Sequence, residues 1–123
     1  MMSLQITPAE LEIMKVLWKQ PDIGASEIVD ALDGEQDWSP RTVKTLLSRL
    51  VEKGALETEA DGRRYLYRPT VAKRDYQKKE AGQLIDKLFG GRAAPLVAQL
   101  ADARGLSDDD IEELEALLGR LKQ

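Results

Sequence analysis

Three observations predict a mainly α fold interrupted by one small β-hairpin. A capped amphipathic stripe runs from Ser39 to Gly54, an Asp61-Gly62 turn signal separates two short strand-like runs, and apolar residues at helical spacing resume beyond Pro69. Helices, hairpin and helices in that order divide the chain into a first domain, residues 1–70, and a second, residues 71–123.

Composition narrows the chemistry. The chain has 123 residues, enough for one domain or a small domain with an appendage. With no Cys and no His, disulfides, soft-metal sites and Ser-His-Asp or Cys-His catalysis are excluded. No carboxylate spacing sets two acids in one cleft and no glycine-rich phosphate loop is present, so neither an enzyme, a metal site nor a cofactor is expected. No apolar run approaches the roughly 20 residues of a membrane span and the start lacks a signal-peptide core, so no membrane insertion and a cytoplasmic location are expected.

Thr7 caps the first helix, with Pro8 in its first turn and Glu10 placed to close a capping box. Leu11, Met14, Val16, Leu17 and Trp18 supply its buried side, and Pro21 ends it. Ile23-Gly24-Ala25 is an extended link. Ser26 to Leu32 reads as a second helix with Ile28, Val29 and Leu32 inward, closed by Gly34. Trp38 then staples the start of the third helix, for which Ser39 is the N-cap, Pro40 the first residue and Gly54 the left-handed stop.

Val43, Leu46, Leu47, Leu50 and Val51 recur at i, i+3, i+4, i+7 and i+8, so the back of this third helix is core. Its other face carries Arg41, Thr42, Lys44, Thr45, Ser48 and Arg49, with Glu52 the only acid. Such a face suits a DNA major groove, where Arg and Lys reach guanine edges, Thr methyls meet thymine methyls and hydroxyls hold phosphates. A solvated helix surface would look the same in isolation.

Charge distribution favours the first reading over the second. The formal net charge is −4, yet residues 39–79 hold eleven cations against five acids while residues 1–38 and 80–123 are both net acidic. Cationic charge is thus concentrated around the third helix, as a phosphate-binding face requires.

Leu56 to Ala60 and Arg63 to Arg68 form the hairpin. A two-residue type I′ loop at Asp61-Gly62 would pair Ala60 with Arg63, Thr58 with Tyr65 and Leu56 with Tyr67. Leu56, Thr58, Tyr65 and Tyr67 then share the face that lies on the helices, and Arg63 and Arg64 stand at the tip. Helix-turn-helix followed by a hairpin with a basic tip is a winged helix, whose wing reaches a phosphate or the minor groove. A plain solvated hairpin is the alternative.

Beyond Pro69 a helix runs from Val71 to about Phe89, stopped by Gly90-Gly91; a short one starts near Pro95, and Ser107 caps the last. Leu84, Leu88, Phe89, Leu96, Val97, Leu100, Ile111, Leu114, Leu117, Leu118 and Leu121 make stripes that so short a segment cannot bury alone. A symmetric homodimer with interlocking helices is the economical solution; a monomeric helical cap over the wing competes with it.

The run from Glu12 to Trp18, the stretch Asp37-Trp38-Ser39-Pro40-Arg41-Thr42-Val43-Lys44-Thr45-Leu46-Leu47-Ser48-Arg49-Leu50, and Lys53-Gly54-Ala55-Leu56 with Gly62-Arg63-Arg64-Tyr65-Leu66-Tyr67 closely resemble the penicillinase-repressor family, the BlaI/MecI repressors with a copper-responsive CopY branch. The resemblance covers about Ile6 to the C-terminus. It implies a homodimeric winged-helix repressor on a palindromic double-stranded operator, released when a membrane sensor signals. Carried over by position, it implies DNA contacts at Arg41, Thr42, Lys44 and Thr45, with Ser39 and Arg49 near the backbone, a wing contact at Arg63 or Arg64, and dimerisation through the C-terminal helices. The copper branch's Cys-x-Cys site has no counterpart here. The Asn-Phe bond cut by a sensor-linked peptidase in the β-lactam repressors corresponds to Gln99-Leu100, a departure that leaves the inducing signal open. The runner-up reading is a winged-helix protein-interaction module that stays off DNA.

Overall fold

The computed structural model describes residues 5–123. Six helices and one hairpin follow in the order α1 (Pro8–Lys19), α2 (Ala25–Leu32), α3 (Pro40–Glu52), β1 (Leu56–Asp61), β2 (Arg64–Pro69), α4 (Lys73–Phe89), α5 (Ala93–Ala103) and α6 (Asp108–Leu121). The fold is mainly α with a small β wing. Two compact units result, residues 1–76 and 77–123.

In the first unit side-chain caps start α1 and α3. Thr7 accepts from the Glu10 backbone while the Glu10 carboxylate accepts from the Thr7 backbone, closing the capping box of α1. Ser39 accepts from the Thr42 backbone at 3.2 Å and Pro40 opens α3. Gly54, at φ 82°, ends α3 in a Schellman motif: its N–H donates to the Val51 carbonyl and the Ala55 N–H to the Leu50 carbonyl.

The core is the meeting of three helical stripes, Ile13, Met14 and Leu17 from α1, Ile28 and Leu32 from α2, and Val43, Leu46, Leu47 and Leu50 from α3, sealed by Ala55 and Leu56. The buried phase of α1 differs from the sequence expectation. Ile13 is fully buried, whereas Leu11, Val16 and Trp18 are only partly covered, because the true stripe is Glu10, Ile13, Met14, Leu17 and contains an acid. Val51 likewise stands at the edge of the α3 stripe, 36% exposed.

Glu10 tolerates this burial because Lys53, from the end of α3, reaches its carboxylate and also donates to the Gln5 carbonyl at 2.9 Å. Burial alone would raise the Glu10 pKa; the Lys53 ammonium and the Thr7 bonds outweigh it and lower the value.

The hairpin register differs by a shift of the turn. Asp61 pairs with Arg64, Ala60 with Tyr65, Thr58 with Tyr67 and Leu56 with Pro69, so the loop is Gly62-Arg63 and not Asp61-Gly62. Only its first residue has positive φ, Gly62 at 65°, which is the requirement of a type II′ turn. Ile23 explains the choice: it bridges to Tyr67, with Tyr67 N–H donating to Ile23 O and Asp22 N–H to Tyr67 O, both at 2.9 Å. Leu56, Thr58, Tyr65 and Tyr67 still share one face, since the pairing moved by an even step, but only Leu56 and Tyr67 pack on the core and Thr58 is exposed. Tyr65 on that face is 59% exposed, beyond the reach of the helices.

Trp18 ties the start of α4 into this unit, donating from Nε1 to the Val71 carbonyl at 2.9 Å with its ring 5.6 Å from that of Tyr76.

In the second unit, Gly90 and Gly91 close α4, Ser107 caps α6 through the Asp110 backbone at 3.0 Å, and α5 begins at Ala93, two residues before Pro95. No side chain of α4, α5 or α6 is buried among the described residues. No helix among them is long and apolar enough to cross a membrane.

Candidate nucleic-acid interface

The buried stripe of α3 fixes what its other side presents. Arg41, Thr42, Lys44, Thr45, Ser48 and Arg49 are all exposed, and Pro40, Arg41, Lys44, Thr45 and Ser48 line one shallow open groove. Sequence reasoning placed these residues on one face, and the structure brings them together there.

Their hydroxyls are ordered by the helix itself. The Ser39 and Thr42 hydroxyls lie 3.1 Å apart around the N-cap, and the Thr45 hydroxyl donates to the Arg41 carbonyl at 3.1 Å. With that proton committed, Thr45 offers a methyl group and an acceptor oxygen to whatever approaches.

The cations divide into two groups. Among the described residues no carboxylate lies within ion-pair distance of Arg41, Lys44, Arg49 or Arg63, and Arg63 occupies the turn of the wing. Arg64, Arg68 and Lys53 are neutralised in place. Arg68 stands 2.8 Å from Asp22 and also meets Glu57 and Glu59 on the outer wing. Arg64 meets Glu27 of α2 and, at 3.4 Å, Asp61. Its guanidinium is held more firmly protonated by Glu27 first and Asp61 second. The two candidate wing residues are therefore unlike: Arg63 is free in the turn, and Arg64 is tied to a helix.

Glu27 is the residue that sequence reasoning missed. Its signal was faint, an acid at the third position of a helix whose N-cap, Gly24, has no side chain to complete a box.

The stripes of the second unit lie open: Leu84, Leu88, Val97, Leu100, Ile111, Leu117, Leu118 and Leu121 are between 38% and 71% exposed, with Phe89, Leu96 and Leu114 half-covered. Gln99 and Leu100 sit inside α5, where the Leu100 carbonyl accepts from Arg104 at 3.0 Å.

Helix-turn-helix, wing and an uncompensated cationic helix face define a winged helix-turn-helix protein. The penicillinase repressor family model matches residues 6–120, and the chain belongs to that family of transcriptional repressors, which are not enzymes. It is 35% identical over 114 residues to the penicillinase repressor of Bacillus licheniformis, covering 93% of this chain and 89% of that one. It is 32% identical over 116 residues to the methicillin resistance regulatory protein MecI of Staphylococcus aureus, covering 94% of each. The solution structure of monomeric B. licheniformis BlaI in complex with the blaP half-operator superposes with a TM-score of 0.53 at 43% identity, covering 62% of this chain and 94% of that one.

Proposed function

We propose that the chain is a homodimeric, sequence-specific repressor that sets α3 of each protomer into a major groove of a palindromic operator, with Arg63 of each wing on the flanking backbone. The observation that carries this reading is the pairing pattern of the cations: among the described residues, those on the α3 face and at the wing turn have no carboxylate partner, while those elsewhere on the hairpin do. Free cations beside ordered threonines are what base edges and phosphates require. That a relative binds a half-operator supports the same assignment.

Arg41 and Lys44 read guanine edges, Thr42 and Thr45 meet thymine methyls or phosphates, and Ser39 and Arg49 border the backbone. Dimerisation uses the open stripes of α4, α5 and α6. Kinship with penicillinase repressors supports a cytoplasmic repressor lifted from DNA by an upstream membrane sensor or peptidase. Cleavage at Gln99-Leu100 would first require α5 to open, since a protease takes its substrate extended.

Selection of bound duplexes from random oligonucleotides tests the proposal. A palindrome with half-sites about 10 base pairs apart, or a multiple of that, is the expected result. An unenriched pool overturns it.

A further inference from the structure

Arg64 reads from sequence as a second phosphate anchor, but its surroundings suit a different task. Its Nη1 meets the Glu27 carboxylate and its Nε faces Asp61 Oδ2 at 3.4 Å, so one guanidinium joins the end of the wing to the first turn of α2. Glu27 occupies the third position of α2, where a glutamate ordinarily turns back to the N-cap backbone, as Glu10 does in α1. It turns to the wing instead. Gly24, the buried N-cap, lies flush against this pair: a Cβ there would stand 3.4 Å from both Arg64 Nη1 and Glu27 Oε1 and 3.5 Å from the Tyr65 carbonyl. The strand beyond this point is fixed to the same loop by the Ile23 and Tyr67 backbone bonds. The latch therefore continues that attachment outward to the last pair before the turn, Asp61 and Arg64.

We propose that Arg64 is a positioning residue, a latch that holds the wing against α2 and so sets where the neighbouring Arg63 meets the DNA backbone. This rests on the DNA-binding reading above. It also inverts an electrostatic expectation. If Glu27 merely competed with phosphate for Arg64, removing that acid would free a cation and tighten binding. If Glu27 anchors the wing, removing it loosens binding although the protein becomes less negative.

The test uses the full chain and the duplex it selects, titrated across salt with wild type, Glu27→Ala, Arg64→Ala, and the exchanged pair Glu27→Arg with Arg64→Glu, made together with Asp61→Asn so that the new glutamate does not face an acid across the hairpin. The latch predicts that each single variant binds about tenfold more weakly, that the salt slope falls by about one unit as the Arg63 contact is lost, and that the exchange restores both. Hydrogen exchange at wing amides of the free protein should rise in Glu27→Ala and return to the wild-type level in the exchange. Tighter binding by Glu27→Ala, an exchange no better than Arg64→Ala, or unchanged wing protection would each overturn the latch. Failure of the wild-type chain to bind any duplex overturns the DNA reading itself, and is distinguished by the protection measurement, which needs no DNA.

Discussion

At the scale of single residues, two cations near each other in sequence do opposite work. Among the described residues Lys44 has no acid partner on the exposed face of α3, and Lys53, at the end of the same helix, is spent on the buried carboxylate of Glu10. Lys44→Ala should cost about 1–3 kcal/mol at one base pair of the operator and relax preference there. Arg63→Ala should weaken all sequences alike and reduce the salt slope by about 0.9. Mobility-shift titrations over several salt concentrations separate the two, and identical behaviour would refute the division of labour. Lys53→Ala should instead lower stability by about 2–3 kcal/mol, because it leaves an ionised carboxylate buried without its partner. The pH dependence follows from the depressed Glu10 pKa. Its contribution is complete above the ordinary glutamate value of 4.5 and is lost as pH falls through the lowered value, so acid should narrow the gap between wild type and Lys53→Ala in denaturant melts.

At the scale of elements, the boundaries follow from a few residues with strong conformational preferences. Gly54 sits at φ 82°, where an added Cβ meets no neighbour but does meet its own backbone. Gly54→Ala should therefore destabilise by about 1–2 kcal/mol, read by urea unfolding, while Gly54→Asn should cost less. This is why α1 and α3 were legible before any coordinates: Thr7, Pro8, Ser39, Pro40 and Gly54 act within one turn of where they stand. What was hidden depended on distant partners. The phase of α1 was obscured because Glu10 lies in the apolar stripe, made tolerable by Lys53, far away in the chain. The hairpin turn was misplaced because Asp61-Gly62 and Gly62-Arg63 are both acceptable two-residue loops, and the choice falls to Ile23 pairing with Tyr67. The pairing of Arg64 was hidden too, since nothing local announced that Glu27 would reach it.

At the scale of the whole molecule, the two units close their cores to different degrees. Among the described residues the first buries eleven apolar side chains, enough to hold α3 rigid behind its polar face. The second contributes no buried side chain among the described residues, and its leucines stand 42–71% exposed along α6 from Leu117 to Leu121. Each square ångström of that surface is worth about 25 cal/mol when covered, so the stripes favour association over exposure. A second copy is the occupant proposed above, and the two-fold symmetry of such a pair would set the length of the operator. Leu117→Glu together with Leu118→Glu should convert a two-chain species to a single chain in sedimentation, at little cost to the first unit. Binding to a single half-site should persist, since α3 and the wing are untouched. Affinity for the full palindrome should fall by about a hundredfold, because the second half-site loses the effective concentration that a joined partner provides. A wild-type chain that sediments singly, or a double-glutamate variant that still binds the palindrome as tightly, would show that recognition is completed within one protomer.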